Sequence, residues 1–325
     1  MVRHLKQQNP DLEISDRDML CVEIAGLCHD LGHAPFSHVF QEIINEYRKE
    51  NGGEEWEHED ASCEMLEHLF KENPHIKELK SDEIDFIKDL ITGKPEKSQR
   101  PKFLYQIINN KSYNIDVDKW DYLARDSHFL GFGKSFDHER MMKMSKVIGD
   151  QICYRDKSLD NFYDMFYARY RLHKTACKHK TALLFNKLLD KVFNSANEQL
   201  QIFEKVVDMK EFTYFTDSIL EEILKNEDNE SLKEARKKLK DIISRSYKYK
   251  GTDGDENDQD GNQDKISCEA DFDYGAREGN PLEKIPFYKK DETESFTYSQ
   301  EELDENLLLP SDFHMNITHY FEKES

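Results

Sequence analysis

Apolar side chains recur along this chain mostly at helical rather than alternating spacing. Leu20, Ile24, Leu27 and Leu31 follow Ser15 and Asp18, which predicts a capped helix ending near Gly32 and Pro35, with those four residues as its apolar series. The same period predicts helices over roughly 59–70, 82–92, 101–110 and 115–127, Gly93 stopping the second and Pro101 opening the third. The longest pattern covers about 159–197, where Phe162, Met165, Phe166, Tyr170, Leu172, Leu183, Leu184, Leu188, Val192 and Phe193 supply an apolar face. Strand signals are few and short, the clearest at 151–155. The pattern predicts a mainly helical fold.

One interruption divides the pattern. Residues 251–264, GTDGDENDQDGNQD, contain no apolar side chain, so ordering them would not be repaid by burial and they are expected to act as a linker. The expected organisation is a domain over 1–250, an acidic linker over 251–267 and a C-terminal lobe over 268–325, in which Phe272, Tyr274, Ile285, Phe287, Tyr288 and Leu307 to Leu309 restore apolar surface.

Composition sharpens this picture in three respects. With 37% hydrophobic and 35% charged residues, 325 residues can build a core of useful size under a very polar surface. No long apolar run and no signal-peptide order is present, which predicts a soluble intracellular protein with no membrane partner. Cys21, Cys28, Cys63, Cys153, Cys177 and Cys268 lack any C-x-x-C spacing and are expected to be reduced. The net charge of −21 is unevenly spread: residues 251–325 carry −15 and residues 1–250 only −6. A basic run of Arg169, Arg171, Lys174, Lys178 and Lys180, with His173 and His179, can therefore face an anionic partner despite the acidic total.

Two segments carry the chemistry. HDLGHAPFSH, at 29–38, places three histidines and an aspartate within ten residues, and imidazole nitrogen with carboxylate oxygen is a donor set for a catalytic divalent metal. IDVDKWDYLARD, at 115–126, spaces Asp118, Tyr122 and Asp126 by four, which lines them along one helical stripe.

These segments, with WEH at 56–58, NFYDMFYARYRLHK at 161–174, DYGAREGNPLEKIPFY at 273–288 and LLLP at 307–310, resemble in order the sterile-alpha-motif and HD-domain deoxynucleoside triphosphate triphosphohydrolases of vertebrates. The resemblance implies an HD-domain helical phosphohydrolase fold with a few short strands and a small C-terminal α+β lobe. It implies hydrolysis of deoxynucleoside triphosphates to deoxynucleoside and inorganic triphosphate, in dNTP catabolism and innate antiviral immunity. By the same resemblance, a transition metal (iron, zinc or manganese) is held by His29, Asp30 and Asp118, with Mg2+ accompanying the nucleotide. His33, His38 and His58 are the implied catalytic histidines, His58 matching the proton donor to the leaving 5′ oxygen. Lys119, Tyr122, Asp126, Arg169 and His173 match substrate contacts. Asp137, Arg140, Arg155, Lys157, Asn161, Lys180 and Arg245 match sites for activator nucleotides, GTP or dNTP, that assemble a homotetramer.

The chain also departs from that pattern. The family's first metal His and its sterile alpha motif are expected upstream of Met1, which makes this an N-terminally truncated form, and His4 is expected to be solvent-exposed rather than a substitute ligand. Gln41 stands where the family has an Asp bonded to the catalytic His, which is expected to weaken control of that His. Cys177 and Lys178 replace a Tyr and a Gln of the nucleotide pocket. Two other readings stay open: an HD phosphohydrolase acting on a nucleoside monophosphate or cyclic nucleotide, and a non-catalytic regulatory or single-stranded nucleic-acid-binding chain that joins the basic run to Tyr163, Phe166, Tyr167 and Tyr170.

Overall fold

The computed structural model describes residues 1–76, 79–95, 100–134, 136–252, 265–276 and 278–323. In chain order these form α1 (Val2–Gln8), α2 (Asp16–Cys28), α3 (His38–Glu50), α4 (His58–Glu72), α5 (Ser81–Thr92), α6 (Lys102–Tyr105), α7 (Val117–Phe129) and α8 (His138–Lys143). There follow β1 (Ser145–Ile148), β2 (Gln151–Arg155), α9 (Leu159–Leu172), α10 (Lys180–Leu200), α11 (Met209–Tyr214), α12 (Ile219–Lys225) and α13 (Lys233–Ile243). The last elements are β3 (Tyr249–Thr252), β4 (Lys265–Asp273), β5 (Phe287–Tyr288), α14 (Gln300–Asn306) and β6 (His314–Lys323). The fold is mainly helical, as the periodicity predicts. Among the described residues no helix is long and apolar enough to cross a membrane.

The chain divides into two compact units that interleave along the sequence, one of Met1–His29, Ile76–Cys177 and Asp271–Met315, the other of Asp30–His75, Lys178–Ala270 and Asn316–Ser325. This differs from the sequential division expected above, because each unit recruits chain segments from both sides of the acidic stretch. Residues 251–252 and 265–267, assigned to the linker by composition, belong to β3 and β4, while 253–264 lie outside the described residues.

In the first unit, Ser15 and Asp18 form the expected capping box on α2. The buried face of that helix is not the predicted one: Cys21, Val22 and Ala25 are inside, whereas Leu27 is 82% exposed and Leu31, beyond the helix, is 39% exposed. Ion pairs fix the orientation. Arg17 holds the buried Glu83 of α5 through contacts of 2.7 and 2.6 Å, and Arg100 reaches Asp18 at 2.8 Å. Gly93 ends α5 with φ +67, and a Cβ there would lie 2.5 Å from the Asn109 carbonyl, so glycine is required.

The helix expected over 101–110 stops at Tyr105. The buried Asn110 side chain accepts from the backbone N–H of Ser112 and Tyr113 and donates to the Ile115 carbonyl, giving the backbone an alternative to helix. Strands β1 and β2 pair as a hairpin turned by Gly149 and Asp150, both at positive φ, as a two-residue turn of this kind demands. β5 adds parallel to β2.

The second unit packs α3, α4 and α10 to α13 around Phe40, Trp56, Phe193, Phe203, Phe212 and Phe215. Its sheet has the order β3-β6-β4. The long helix expected over 159–197 is two helices: α9 gives way to a π turn over His173–Cys177, none of which is buried, and His179 caps α10. With no apolar face at 173–177, packing does not enforce one continuous rod.

Candidate active site

In the first unit His29 caps the C-terminal end of α2. Its Nδ1 lies 2.9 Å from the Gly26 carbonyl, an acceptor, so Nδ1 carries a proton and donates. The Nε2 lone pair of the neutral ring then faces Asp118 Oδ1 at 3.1 Å, acceptor against acceptor. A second proton or a cation between them makes the contact attractive. This backbone-oriented imidazole opposite a carboxylate is the donor arrangement of a divalent metal site.

Asp118 stands in the first turn of α7, and the residue that sets it there is Asp116, which sequence reading passed over. The Asp116 carboxylate is buried and accepts from the backbone N–H of Lys119 at 3.0 Å, from that of Asn110 at 3.1 Å and from Lys119 Nζ at 2.8 Å. Lys119, expected among the substrate contacts, is thus engaged in fixing the start of the helix. Its signal in sequence was a helix N-cap.

Tyr122, one turn beyond Asp118, has its hydroxyl pKa pushed up to about 12 by burial, against the opposing pull of the Arg169 guanidinium. Arg169, on α9, donates to the carbonyl of Asp273 at 2.8 Å and pairs with that residue's carboxylate. Asp273 also accepts from Gly275 N–H at 2.6 Å, and a Cβ on Gly275 would lie 2.7 Å from the Phe166 ring. The segment at 273–275 is therefore a clamp on α9, and Asp273 is a site residue that sequence reading left unassigned. Burial raises the Asp126 carboxyl pKa, and His173 is partly buried at the start of the π turn. His4, expected in solvent, is half-buried on α1, and burial lowers its pKa.

The second unit gathers the other histidines. His33 and His58 stack with centroids 4.1 Å apart and planes 11° apart, and His38 meets them edge-on at 4.9 and 5.2 Å. One ligand nitrogen from each of the three rings lies within 4.8 Å of the others, and each ring can present an N–H to an anion or a lone pair to a cation. Gly32 permits the approach: a Cβ there would sit 2.1 Å from the His58 carbonyl, and its N–H donates to Ser62 at 2.8 Å. Phe36 and Ser37 take positive φ just before His38, a backbone conformation costing about 1–3 kcal/mol per residue. Asp30 approaches His33 at 3.5 Å.

Gln41 does not leave His58 loose, contrary to the expectation from its residue type. Its Oε1 lies 2.7 Å from His58 Nδ1, and its Nε2 donates to Glu57 at 2.8 Å.

The residues matched to activator sites divide between the units. Asn161 accepts from the backbone N–H of Asp137 and donates to its carbonyl, both at 2.8 Å, while Asp137 caps Arg140 at the start of α8. Arg155 pairs with Asp156 and lies over the Tyr288 ring, and Lys157 is exposed. Lys180 opens α10 and Arg245 follows α13, both exposed in the second unit. Of the aromatics proposed for single strands, Phe166 is in the core, whereas Tyr163 and Tyr167 stack 6.3 Å apart, with Arg171 over Tyr167 and Lys174 over Tyr170. Cys177 is exposed, whereas Cys21, Cys153 and Cys268 are buried.

Residues 1–126 match the HD domain model. The chain is 37% identical over 96% of its length to a protein of Gallus gallus named deoxynucleoside triphosphate triphosphohydrolase, covering 60% of that protein. It is 36% identical over 96% of its length to a homolog of that name from Dictyostelium discoideum, covering 63% of it. A putative HD domain-containing protein of Acanthamoeba polyphaga mimivirus is 31% identical over 84% of this chain, which covers 64% of it. The chain thus spans about 60% of the length of such relatives. Residues 1–126 are thus similar to the HD domain, and along nearly its whole length the chain is similar to proteins named as deoxynucleoside triphosphate triphosphohydrolases.

Proposed function

We propose that this protein hydrolyses deoxynucleoside triphosphates to deoxynucleoside and inorganic triphosphate, with a divalent metal held by His29, Asp30 and Asp118. The observation that carries the reading is the His29 lone pair directed at the Asp118 carboxylate across 3.1 Å, with the ring already oriented by the Gly26 carbonyl. Nitrogen and oxygen donors of this kind suit iron, zinc or manganese, and Mg2+ would accompany the nucleotide. When bound, the metal supplies positive charge that acidifies water and neutralises phosphate oxygens.

The chain's own groups do the rest. His58, its Nδ1 held by Gln41, acts in its doubly protonated form: it gives the Nε2 proton to the 5′ oxygen as the bond from that oxygen to the α-phosphorus breaks, while water oxygen bonds to phosphorus and releases its own proton to solvent. His33 and His38 hydrogen-bond phosphate oxygens. Arg169, braced by Asp273, offers its remaining N–H groups to phosphate, and Tyr122, Asp126, Lys119 and His173 complete recognition. Asp137, Arg140, Arg155, Lys157, Asn161, Lys180 and Arg245 are proposed to bind activator nucleotides that drive homo-oligomer assembly in an intracellular setting.

The test is release of inorganic triphosphate from a dNTP by the purified chain loaded with manganese or iron. Orthophosphate alone, or no product with metal content verified, overturns the proposal. A second reading rests on the Tyr163 and Tyr167 stack beside Arg171, which is the combination of stacking and charge used on single strands. Salt-sensitive binding of a single-stranded oligonucleotide that Tyr167→Ala abolishes would support it.

A further inference from the structure

His58 begins α4 directly after Glu57, which occupies the N-cap position yet makes no side-chain capping bond. The Glu57 carboxylate turns instead to Gln41, accepting from Nε2 at 2.8 Å, and Gln41 Oε1 lies 2.7 Å from His58 Nδ1. These two bonds form a chain with a direction. An ionised carboxylate only accepts, so the amide must present its NH2 to Glu57 and its oxygen to His58. The imidazole must then donate from Nδ1. Without an acceptor-only group at its end, the same amide could turn over and donate from its NH2 to a proton-free Nδ1 equally well.

We infer that Glu57 is a positioning residue that acts through Gln41 to hold His58 in the Nδ1–H tautomer, keeping Nε2 as the nitrogen that exchanges the reaction's proton. A carboxylate placed directly on Nδ1 would hold the tautomer and also stabilise the imidazolium. The intervening amide keeps the first effect and moves the charge one side chain further out. Glu59 is also near: its Oε2 lies 3.3 Å from the same Nδ1, longer than the Gln41 contact and beyond the usual range of N–H···O bonds. The inference rests on His58 being the proton donor of the proposed hydrolysis, but the tautomer itself is measurable without any turnover.

The test is the 15N chemical shifts of the His58 ring in the folded, metal-loaded protein, read beside kcat and KM for a dNTP. At a pH where the ring is neutral, before Nε2 takes up the proton it later gives, the unsubstituted chain is expected to show Nδ1 protonated and Nε2 bare. Glu57→Gln should give a mixture of tautomers and lower kcat by about 10- to 100-fold with KM nearly unchanged. Exchanging the two groups, Gln41→Glu together with Glu57→Gln, restores an acceptor-only partner and should return the ring to a single tautomer. Glu59→Gln should leave the tautomer as it is. An unaltered tautomer in Glu57→Gln, a mixture created by Glu59→Gln, or failure of the exchanged pair to restore the Nδ1–H form would each overturn the inference. A fixed tautomer in a chain that releases no triphosphate would count against the proposed hydrolysis and leave the positioning role of Glu57 standing.

Discussion

The pair of His29 with Asp118 and the trio of His33, His38 and His58 are built on opposite electrostatic principles. In the pair, an imidazole lone pair meets a carboxylate brought in from 89 residues away, and the contact is repulsive until positive charge enters it. In the trio, three rings from a short stretch of chain pack face and edge, and a directed amide sets the protonated nitrogen of one of them. The difference teaches a division of labour: the pair is suited to keeping a cation, and the trio to passing a proton and meeting an anion.

The largest effect should come from breaking the pair. Asp118→Asn supplies an NH2 that can donate to His29 Nε2, turning the contact into an ordinary neutral hydrogen bond with no need for a cation. We expect the variant to fold, to lose bound metal by elemental analysis and to drop triphosphate release to background; full metal retention would break the comparison. His58→Ala should do the reverse, lowering kcat by about 10^2- to 10^4-fold with metal content unchanged. Loss of metal in that variant would mean the two regions are not chemically separate.

A smaller effect is expected at Asp116. Asp116→Ala removes the α7 cap and two further bonds, so it should cost about 1–2 kcal/mol of stability in denaturant and loosen the metal site by about 10- to 100-fold in affinity. Unchanged metal affinity with reduced stability would show that Asp118 needs no such support.

The smallest effect concerns pH. The Arg17 guanidinium beside Glu83 draws that carboxyl pKa down to about 2, below the unfolded value of ~4.3. The stability it contributes is fully present above ~4.3 and is lost as pH falls through about 2, loosening the α5 clamp on the helix that presents His29. Arg17→Met should flatten that part of the curve of denaturation midpoint against pH. An identical acid limb in the variant would assign the loss to other groups.

Much of this molecule is legible locally. The capping box at Ser15 and Asp18, the stop at Gly93, the strand at 151–155 and the density of ligands at 29–38 depend on neighbours within a few residues, and each is where periodicity and residue type put it. The errors share a cause. Leu27 belongs to the right spacing yet lies in solvent, because the ion pairs of Arg17 and Arg100 help set which face of α2 turns inward. The pattern over 159–197 runs on through a segment with nothing to bury, so α9 and α10 separate there.

What the sequence determined by itself was the helical character, the donor types and their order along the chain. Tertiary structure alone decided that Asp118 faces His29, that Asp116 sets the start of α7, that Asp273 braces Arg169, and that Gln41 points its oxygen at His58 because Glu57 lies behind it. The physical reason is range. Helix periodicity and capping act over three or four residues, whereas the direction of a hydrogen bond and the meeting of two acceptors depend on groups that only long-range packing brings together.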